Sequence, residues 1–328
     1  MDVVTTKVER VLLAAPRGFC AGVEMAIKAL AWMVRSFDAP VYCYHEIVHN
    51  KLVVERFEQL GVIFVDEISE VPEGSPIMLS AHGSAPDVVR SARSRGSVVI
   101  DSVCPLVTKV HMEVRRYGRE GRDVILIGHD GHPEVEGTLG RFDPAQGGQI
   151  RLVESMADAE TIDVSDPSRL AFVTQTTLSV DDAQRIVEAL RQRFPSIVGP
   201  KKDDICYATQ NRQDAVKFMA RQCDLVIVVG SPNSSNSNRL REVAAALGCE
   251  AYMVDGAAQL QPSWVNGKLR VGVTAGASAP EVLVQAVVQR LKELGAAGVT
   301  QLDGIKEGVT FPLPKGLALP PSATILPE

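Results

Sequence analysis

Seven short apolar runs punctuate the chain, and each leads into a polar turn and then a helical pattern. They are "VERVLLAA" (8–15), "PVYCY" (40–44), "PIMLSA" (76–81), "DVILIG" (123–128), "LAFVTQ" (170–175), "LVIVVG" (225–230) and "LRVGVTAG" (269–276). Runs rich in Val, Ile and Leu, bounded by Gly and Pro, suit strands buried on both faces. Their alternation with helical segments, near 22–37, 50–60 and 86–95 among others, predicts an α/β protein with mainly parallel sheets and helical crossovers. In such sheets ligands bind beyond the carboxyl ends of the strands. "SAPE" (278–281) and "SVDD" (179–182) read as helix starts, each with a serine at the capping offset.

A chain of 328 residues has room for two or three domains. Its formal net charge of −6 excludes an overall basic footprint for nucleic acid, although one local site can still attract an anion. No apolar run approaches the roughly 18 residues of a membrane span. The opening "MDVVTTKVER" lacks the apolar core of a secretory signal. Six cysteines over the whole length are too sparse for a disulfide scaffold, so a reducing, cytoplasmic setting is expected.

The cysteines sort by setting. Cys43, Cys223 and Cys249 sit in or beside apolar runs and read as small core residues. Cys20 ("RGFCAGV"), Cys104 ("DSVCPLV") and Cys206 ("DDICYAT") each follow a short extended run and open a helical segment. A helix N-terminus favours the thiolate, the form that attacks or binds metal. Their spacings, 104 − 20 = 84 and 206 − 104 = 102 residues, are far wider than those of ferredoxins or zinc knuckles. Each alone has a structural reading. Together, they suggest one thiolate from each of three modules, holding a metal centre with one position left open.

All six histidines fall between 45 and 132. "HEIVH" (45–49) matches a zinc-peptidase pattern, which needs both histidines on one helical face. Here it directly follows a predicted strand, with Asn50 a cap for the next helix, so the peptidase reading is set aside. His82 and His132 follow strands. "VVGSPNSSNSNRL" (228–240) is the anion-site candidate: a buried strand, a Gly/Ser/Asn loop and a helix start. "TAGASAPE" (274–281) repeats that logic with Ser278, and "TQTTLS" (174–179) adds hydroxyls. The candidate acid is Glu134 in "HPEVEG". Glu136 competes with it, and at two residues' spacing only one of them faces a site.

The blocks "PRGFCAGV", "HEIVHN", "SAHG", "CPLVTKVH", "GHPEVEGT", "TQTTLSVDD", "DDICYATQNRQ", "VGSPNSSNSNRL" and "GVTAGASAP" resemble the LytB family, the 4-hydroxy-3-methylbut-2-enyl diphosphate reductases of the non-mevalonate isoprenoid pathway. The blocks span about residues 11–290; the Pro-rich tail (311–328) and the segment 141–168 are the least diagnostic parts. The resemblance implies three similar α/β lobes in a pseudo-threefold, trefoil-like arrangement around a central [4Fe–4S] cluster. The lobes would be 21–104, 105–205 and 206–290, with 1–20 and 291–328 as terminal segments packed on them. Cys20, Cys104 and Cys206 would ligate the cluster and leave one iron open for the substrate hydroxyl.

The reaction so implied is reductive dehydroxylation of the allylic diphosphate, with two electrons and two protons entering and water leaving. Isopentenyl and dimethylallyl diphosphates would form. Glu134 would be the proton donor and Thr176 would orient it and the hydroxyl, with His132 the third catalytic group. His49, His82, His132, Thr176, Ser234, Ser235, Asn236 and Ser278 would line the substrate pocket, most of them holding the diphosphate. A ferredoxin or flavodoxin would supply electrons. The competing expectation is a non-catalytic iron–sulfur sensor of a phosphorylated ligand, which needs no acid at Glu134 but needs an effector module that the sequence does not display.

Overall fold

The computed structural model describes residues 8–96, 98–315 and 317. In chain order, β1 (Arg10–Leu13) leads to α1 (Ala21–Ser36). Then come β2 (Val41–Tyr44), α2 (Lys51–Gln59), β3 (Val62–Val65), β4 (Pro76–Leu79), α3 (Pro86–Arg95) and β5 (Val98–Asp101). They are followed by α4 (Pro105–Arg119), β6 (Asp123–Ile127), α5 (Pro133–Leu139), β7 (Ile150–Val153), α6 (Met156–Thr161), β8 (Leu170–Thr174) and α7 (Val180–Arg193). The last elements are α8 (Tyr207–Ala220), β9 (Leu225–Val229), α9 (Ser235–Ala246), β10 (Glu250–Val254), β11 (Arg270–Ala275), α10 (Glu281–Glu293) and β12 (Val299–Gln301).

The strands form three sheets, and every paired strand in them is parallel. Their orders are β10-β9-β11-β1-β12, β3-β2-β4-β5 and β7-β6-β8. All seven apolar runs of the sequence contain strands of these sheets. The chain divides into two compact units. One draws on Met1–Cys20, His49–Val53 and Tyr207–Val309 and holds the five-stranded sheet; the other draws on Ala21–Val48, Val54–Cys206 and Thr310–Glu328 and holds the other two.

In the first unit, period-two alternation explains the unbroken "LVIVV" of β9. Leu225, Ile227 and Val229 face one core with Val284, Val287 and Leu291 of α10. Val226 and Val228 face the other, with Val216 and Met219 of α8 and Leu240 and Val243 of α9. A strand covered on both sides has no polar face to display. In the second unit β6 and β8 follow the same rule. Ile125, Ile127, Leu170 and Phe172 pack with Ile186 and Leu190 of α7, while Val124, Leu126, Ala171 and Val173 pack with Val110, Val114 and Tyr117 of α4.

The helix-start expectations divide. Ser179 caps α7 as expected, accepting from the Asp182 N–H at 3.3 Å. Asn50 likewise accepts from the Val53 N–H at 3.2 Å at the start of α2. Ser278 does not cap α10: Pro280 holds the cap position, and the Ser278 hydroxyl is used elsewhere. Residues 45–49 form no helix, so "HEIVH" does not present its two histidines on one helical face. Residues 311–315 of the Pro-rich tail carry no helix or strand, and 316 and 318–328 lie outside the described residues. Among the described residues, no helix is long and apolar enough to cross a membrane.

Candidate functional site

The two units each gather candidate residues at the carboxyl ends of their strands. In the first unit β9, β11 and β1 are neighbours in that order, so the turns that leave them lie side by side. Those turns carry Ser234, Ser278 and Cys20. Ser234 is the N-cap of α9; its Oγ accepts from the Ser237 N–H at 3.3 Å and from the Ser237 hydroxyl at 2.9 Å. It stands 3.4 Å from the Ser278 Oγ, which donates to the His49 carbonyl at 2.8 Å. Asn236 is buried, its Oδ1 accepting from the Ala277 N–H at 2.9 Å and its Nδ2 donating to the Thr209 hydroxyl at 3.2 Å. Asn233 Nδ2 lies 3.4 Å from His49 Nδ1. Ser235 opens α9 and is half-buried.

This close approach explains two glycines. A Cβ on Gly230 or Gly276 would collide with the Ser237 side chain, so the strand-to-helix turns of β9 and β11 meet only without side chains there. The result is a cluster of hydroxyls and carboxamides at the start of a 12-residue helix. Such donors suit phosphate oxygens, the more so where the helix dipole points its positive end.

In the second unit β6 and β8 are neighbours, and the residues just beyond them meet. Glu134 lies in the first turn of α5 and is 3% exposed, while Glu136 is exposed, which settles which of the two acids points inward. Its carboxylate accepts from the Thr176 N–H at 2.6 Å and from the Thr176 hydroxyl at 2.9 Å. Burial pushes the Glu134 carboxyl up to about 7, against the downward pull of those two bonds; the carboxylate of Asp204 adds to the rise. His132 is the N-cap of α5, its Nδ1 accepting from the Glu134 N–H at 3.1 Å. The His132 and His82 rings meet edge to face with centroids 5.9 Å apart.

Three further contacts tie this group to its cysteines. The Cys104 N–H donates to the Ala81 carbonyl at 3.0 Å, beside His82, and the Cys206 N–H donates to the Thr176 carbonyl at 3.1 Å. Asp204, two residues before Cys206, accepts from the Thr174 N–H at 3.0 Å and pairs with Lys109 of α4 at 3.1 Å. Gly137 of α5 packs so tightly on the Gly83 carbonyl that an added Cβ would stand 2.9 Å from it. The second unit therefore brings together Glu134, Thr176, His132, His82, Cys104 and Cys206; the first brings together Cys20, His49, Ser234, Ser235, Asn236 and Ser278 through strand ends and a helix start.

The cysteines keep their two settings. None of the six is in a disulfide. Cys43 is fully buried and Cys249 nearly so, and burial raises both thiols above their ordinary range. Cys223 is half-buried rather than buried, because it lies in the turn before β9; burial still pushes its thiol up to about 12. Cys20, Cys104 and Cys206 are half-buried, and each immediately precedes a helix, of 16, 15 and 14 residues respectively. Each also anchors its N–H on the carbonyl of a residue beyond a strand, Ala277, Ala81 and Thr176. A half-buried sulfur donor at a helix N-terminus is the kind of ligand that an iron–sulfur group takes.

Sequence reasoning missed four polar residues here. Asp204 and Lys109 sit in the quoted blocks with nothing local to mark them as a pair. Arg212 and Glu307 are 95 residues apart and meet only in the fold.

Residues 11–292 match the family described as LytB protein. A relative from Aromatoleum aromaticum, 4-hydroxy-3-methylbut-2-enyl diphosphate reductase, is 61% identical over 313 residues, 95% of this chain and 99% of its own. The protein of the same name from Marinobacter nauticus is 57% identical over 310 residues, 94% of this chain and 98% of its own. Among solved structures, the E-1-hydroxy-2-methyl-but-2-enyl-4-diphosphate reductase of Plasmodium falciparum aligns with a TM-score of 0.88 at 35% identity, covering 94% of this chain and 96% of that one. A second, an (E)-4-hydroxy-3-methyl-but-2-enyl diphosphate reductase described as the terminal enzyme of the non-mevalonate pathway, aligns with a TM-score of 0.61 at 33% identity, covering 87% of this chain and 100% of that one.

Proposed function

The chain belongs to the LytB family, the iron–sulfur 4-hydroxy-3-methylbut-2-enyl diphosphate reductases of the non-mevalonate isoprenoid pathway, and from that premise we propose how its own residues divide the work. Cys20, Cys104 and Cys206 would hold one [4Fe–4S] cluster, and three thiolates for four irons would leave one iron open. The matching helix-start settings of these three cysteines support that choice over Cys43, Cys223 and Cys249. When bound, the cluster supplies electrons one at a time and a Lewis-acidic iron for the substrate's allylic hydroxyl.

The remaining chemistry rests on side chains. An allylic hydroxyl is a poor leaving group, and a positioned acid that protonates it as it departs lowers that barrier. Glu134 is that acid. The single observation that carries the assignment is its burial beside Thr176: burial lifts the carboxyl to about 7, so that it still holds a share of its proton near neutral pH, and the two Thr176 bonds, which favour the ionised form, aim it. Thr176 orients the acid and the hydroxyl, and His132, tied to the Glu134 N–H, completes the catalytic group. Ser234, Ser235, Asn236 and Ser278 receive the diphosphate with His49 beside them, and His82 serves substrate binding from its place against His132. Holding the remote diphosphate firmly supports orientation at the reacting carbon. The functional modules are 21–104, 105–205 and 206–290, with a cysteine at or beside the start of each. The electron donor is a ferredoxin or flavodoxin, and the setting is cytoplasmic.

Anaerobic purification followed by iron and sulfide analysis, and turnover of the allylic diphosphate with an artificial reductant, tests the reading. Brown protein that carries iron and sulfide and forms isopentenyl and dimethylallyl diphosphates is expected. Colourless, zinc-loaded protein that turns over the substrate would overturn it.

A further inference from the structure

Arg212 of α8 is fully buried, so its charge must be answered and its N–H groups must be paired. Three of its bonds run to the turn that carries Cys20. Nε and Nη2 donate to the Gly18 carbonyl at 3.0 and 2.7 Å, and Nη2 donates to the Phe19 carbonyl at 3.2 Å. Nη1 donates to the Ala208 carbonyl, one turn back on its own helix, at 3.0 Å. The charge is met by Glu307, whose Oε1 lies 3.0 Å from Nη1 and also accepts from Asn211 Nδ2 at 2.9 Å.

Glu307 lies past β12, outside residues 11–292 that match the family. The same segment crosses the other end of the turn, where Gly304 packs on the Ala15 carbonyl too closely for any side chain. Meanwhile the N–H groups of the turn are tied to the exit of β11: Gly18 N–H to the Ala275 carbonyl and Cys20 N–H to the Ala277 carbonyl, both at 3.2 Å. Gly18 adopts φ +70, a left-handed backbone in which a side chain is strained. Arg212 thus supplies the side-chain half of a grip whose other half is main chain.

We propose that Arg212 and Glu307 are positioning residues for Cys20: the segment after β12 provides the carboxylate that keeps the guanidinium on the Gly18 and Phe19 carbonyls, and this fixes the direction in which the Cys20 sulfur is presented. The proposal rests on the reading of Cys20 as an iron ligand. A lysine at 212 would keep the charge but lose the planar fork that serves two carbonyls and a carboxylate at once. Without Glu307 the guanidinium loses its counter-charge, turns toward water and releases the two carbonyls. Groups that orient metal ligands in this way typically account for ~10–100-fold in metal affinity or activity.

The test compares Glu307→Ala, Glu307→Gln, Arg212→Lys and Cys20→Ser in the full chain with its cluster assembled anaerobically. Three readouts are taken: iron release to a chelator, the electron paramagnetic resonance spectrum after reduction, and the melting temperature without iron. Glu307→Ala and Arg212→Lys are expected to release iron roughly 10-fold faster than the parent, with an altered spectrum. A lower melting temperature with parental iron release and an unchanged spectrum would mark a merely structural pair and overturn the proposal. If Glu307→Ala does not fold, Glu307→Gln, which keeps the shape and loses the charge, decides by the same two readouts. Full iron retention in Cys20→Ser would instead overturn the ligand reading, so the two failures are told apart.

Discussion

Glu134 takes both of its strong hydrogen bonds from one residue, Thr176, through the backbone N–H at 2.6 Å and the hydroxyl at 2.9 Å. The two residues follow adjacent strands of one sheet, so the acid is aimed by the sheet itself and not by a mobile loop. Replacing Glu134 by Gln preserves size and removes the transferable proton. Such a variant is expected to keep its iron and lose ~10²–10⁴-fold in turnover, checked by anaerobic steady-state kinetics beside iron analysis. Near-parental turnover would refute the role of Glu134 as proton donor.

The pH dependence follows from the raised carboxyl. Glu134 titrates at about 7 when folded and at 4.5 in its ordinary state. The folded chain therefore holds this proton more tightly than the unfolded chain, and the associated stability is fully present below pH 4.5 and is lost as pH rises through 7. Activity should fall over the same alkaline limb, because the ionised acid has no proton to give. Denaturant titrations at pH 5 and pH 8 should show the parent losing stability relative to Glu134→Gln by roughly 2 kcal/mol across that window.

Thr176 holds the ionised form of Glu134 down toward neutrality. Thr176→Val removes the hydroxyl bond and keeps the shape, so the alkaline limb of the kcat/KM profile should move to higher pH, while Thr176→Ser should leave it in place. A Thr176→Val profile superimposable on the parent's would contradict the hydrogen-bond account.

Cysteine replacement should reproduce the structural sorting. Cys43→Ala, Cys223→Ala and Cys249→Ala should retain iron and sulfide after anaerobic purification; Cys104→Ser and Cys206→Ser should lose most of both. Iron loss in any of the first three variants would show that the ligand set has been drawn from the wrong cysteines.

Lys109 tests a buried pair. Its ammonium meets Asp204, whose side chain is fully buried, and donates to the Asp203 carbonyl at 2.7 Å. Lys109→Ala leaves that carboxylate without its counter-charge two residues before Cys206. A loss of about 3 kcal/mol in urea unfolding is expected, and a change below ~1 kcal/mol would mean that Asp204 is protonated or reached by water.

Much of this site was legible because its signals are local. A cysteine that opens a helix differs from one inside an apolar run, and that distinction separates Cys20, Cys104 and Cys206 from the rest. Two acids two residues apart cannot both face inward, and Glu134 does. Ser278 was misread as a cap because a Ser-x-x-Glu spacing states an offset, not a hydrogen bond; Pro280 takes the cap, and Ser278 turns toward His49 instead. Segment 141–168 carried no diagnostic block, yet it forms β7 and α6, since an edge strand and a short helix need only modest patterning. The Arg212–Glu307 and Lys109–Asp204 pairs were invisible because no periodicity links residues so far apart.

The placement of β1 has a consequence for the order of assembly. It lies between β11 and β12, with Arg10 in register with Arg270. A ribosome therefore releases β1 ahead of the other described strands, and its first neighbour arrives 270 − 10 = 260 residues later, on the order of 10–50 s at ordinary rates of synthesis. The sheets of the second unit are complete well before that point. The turn that holds Cys20 is thus made before the sheets of the second unit and enclosed after them, and Glu307, which follows β12, finishes it.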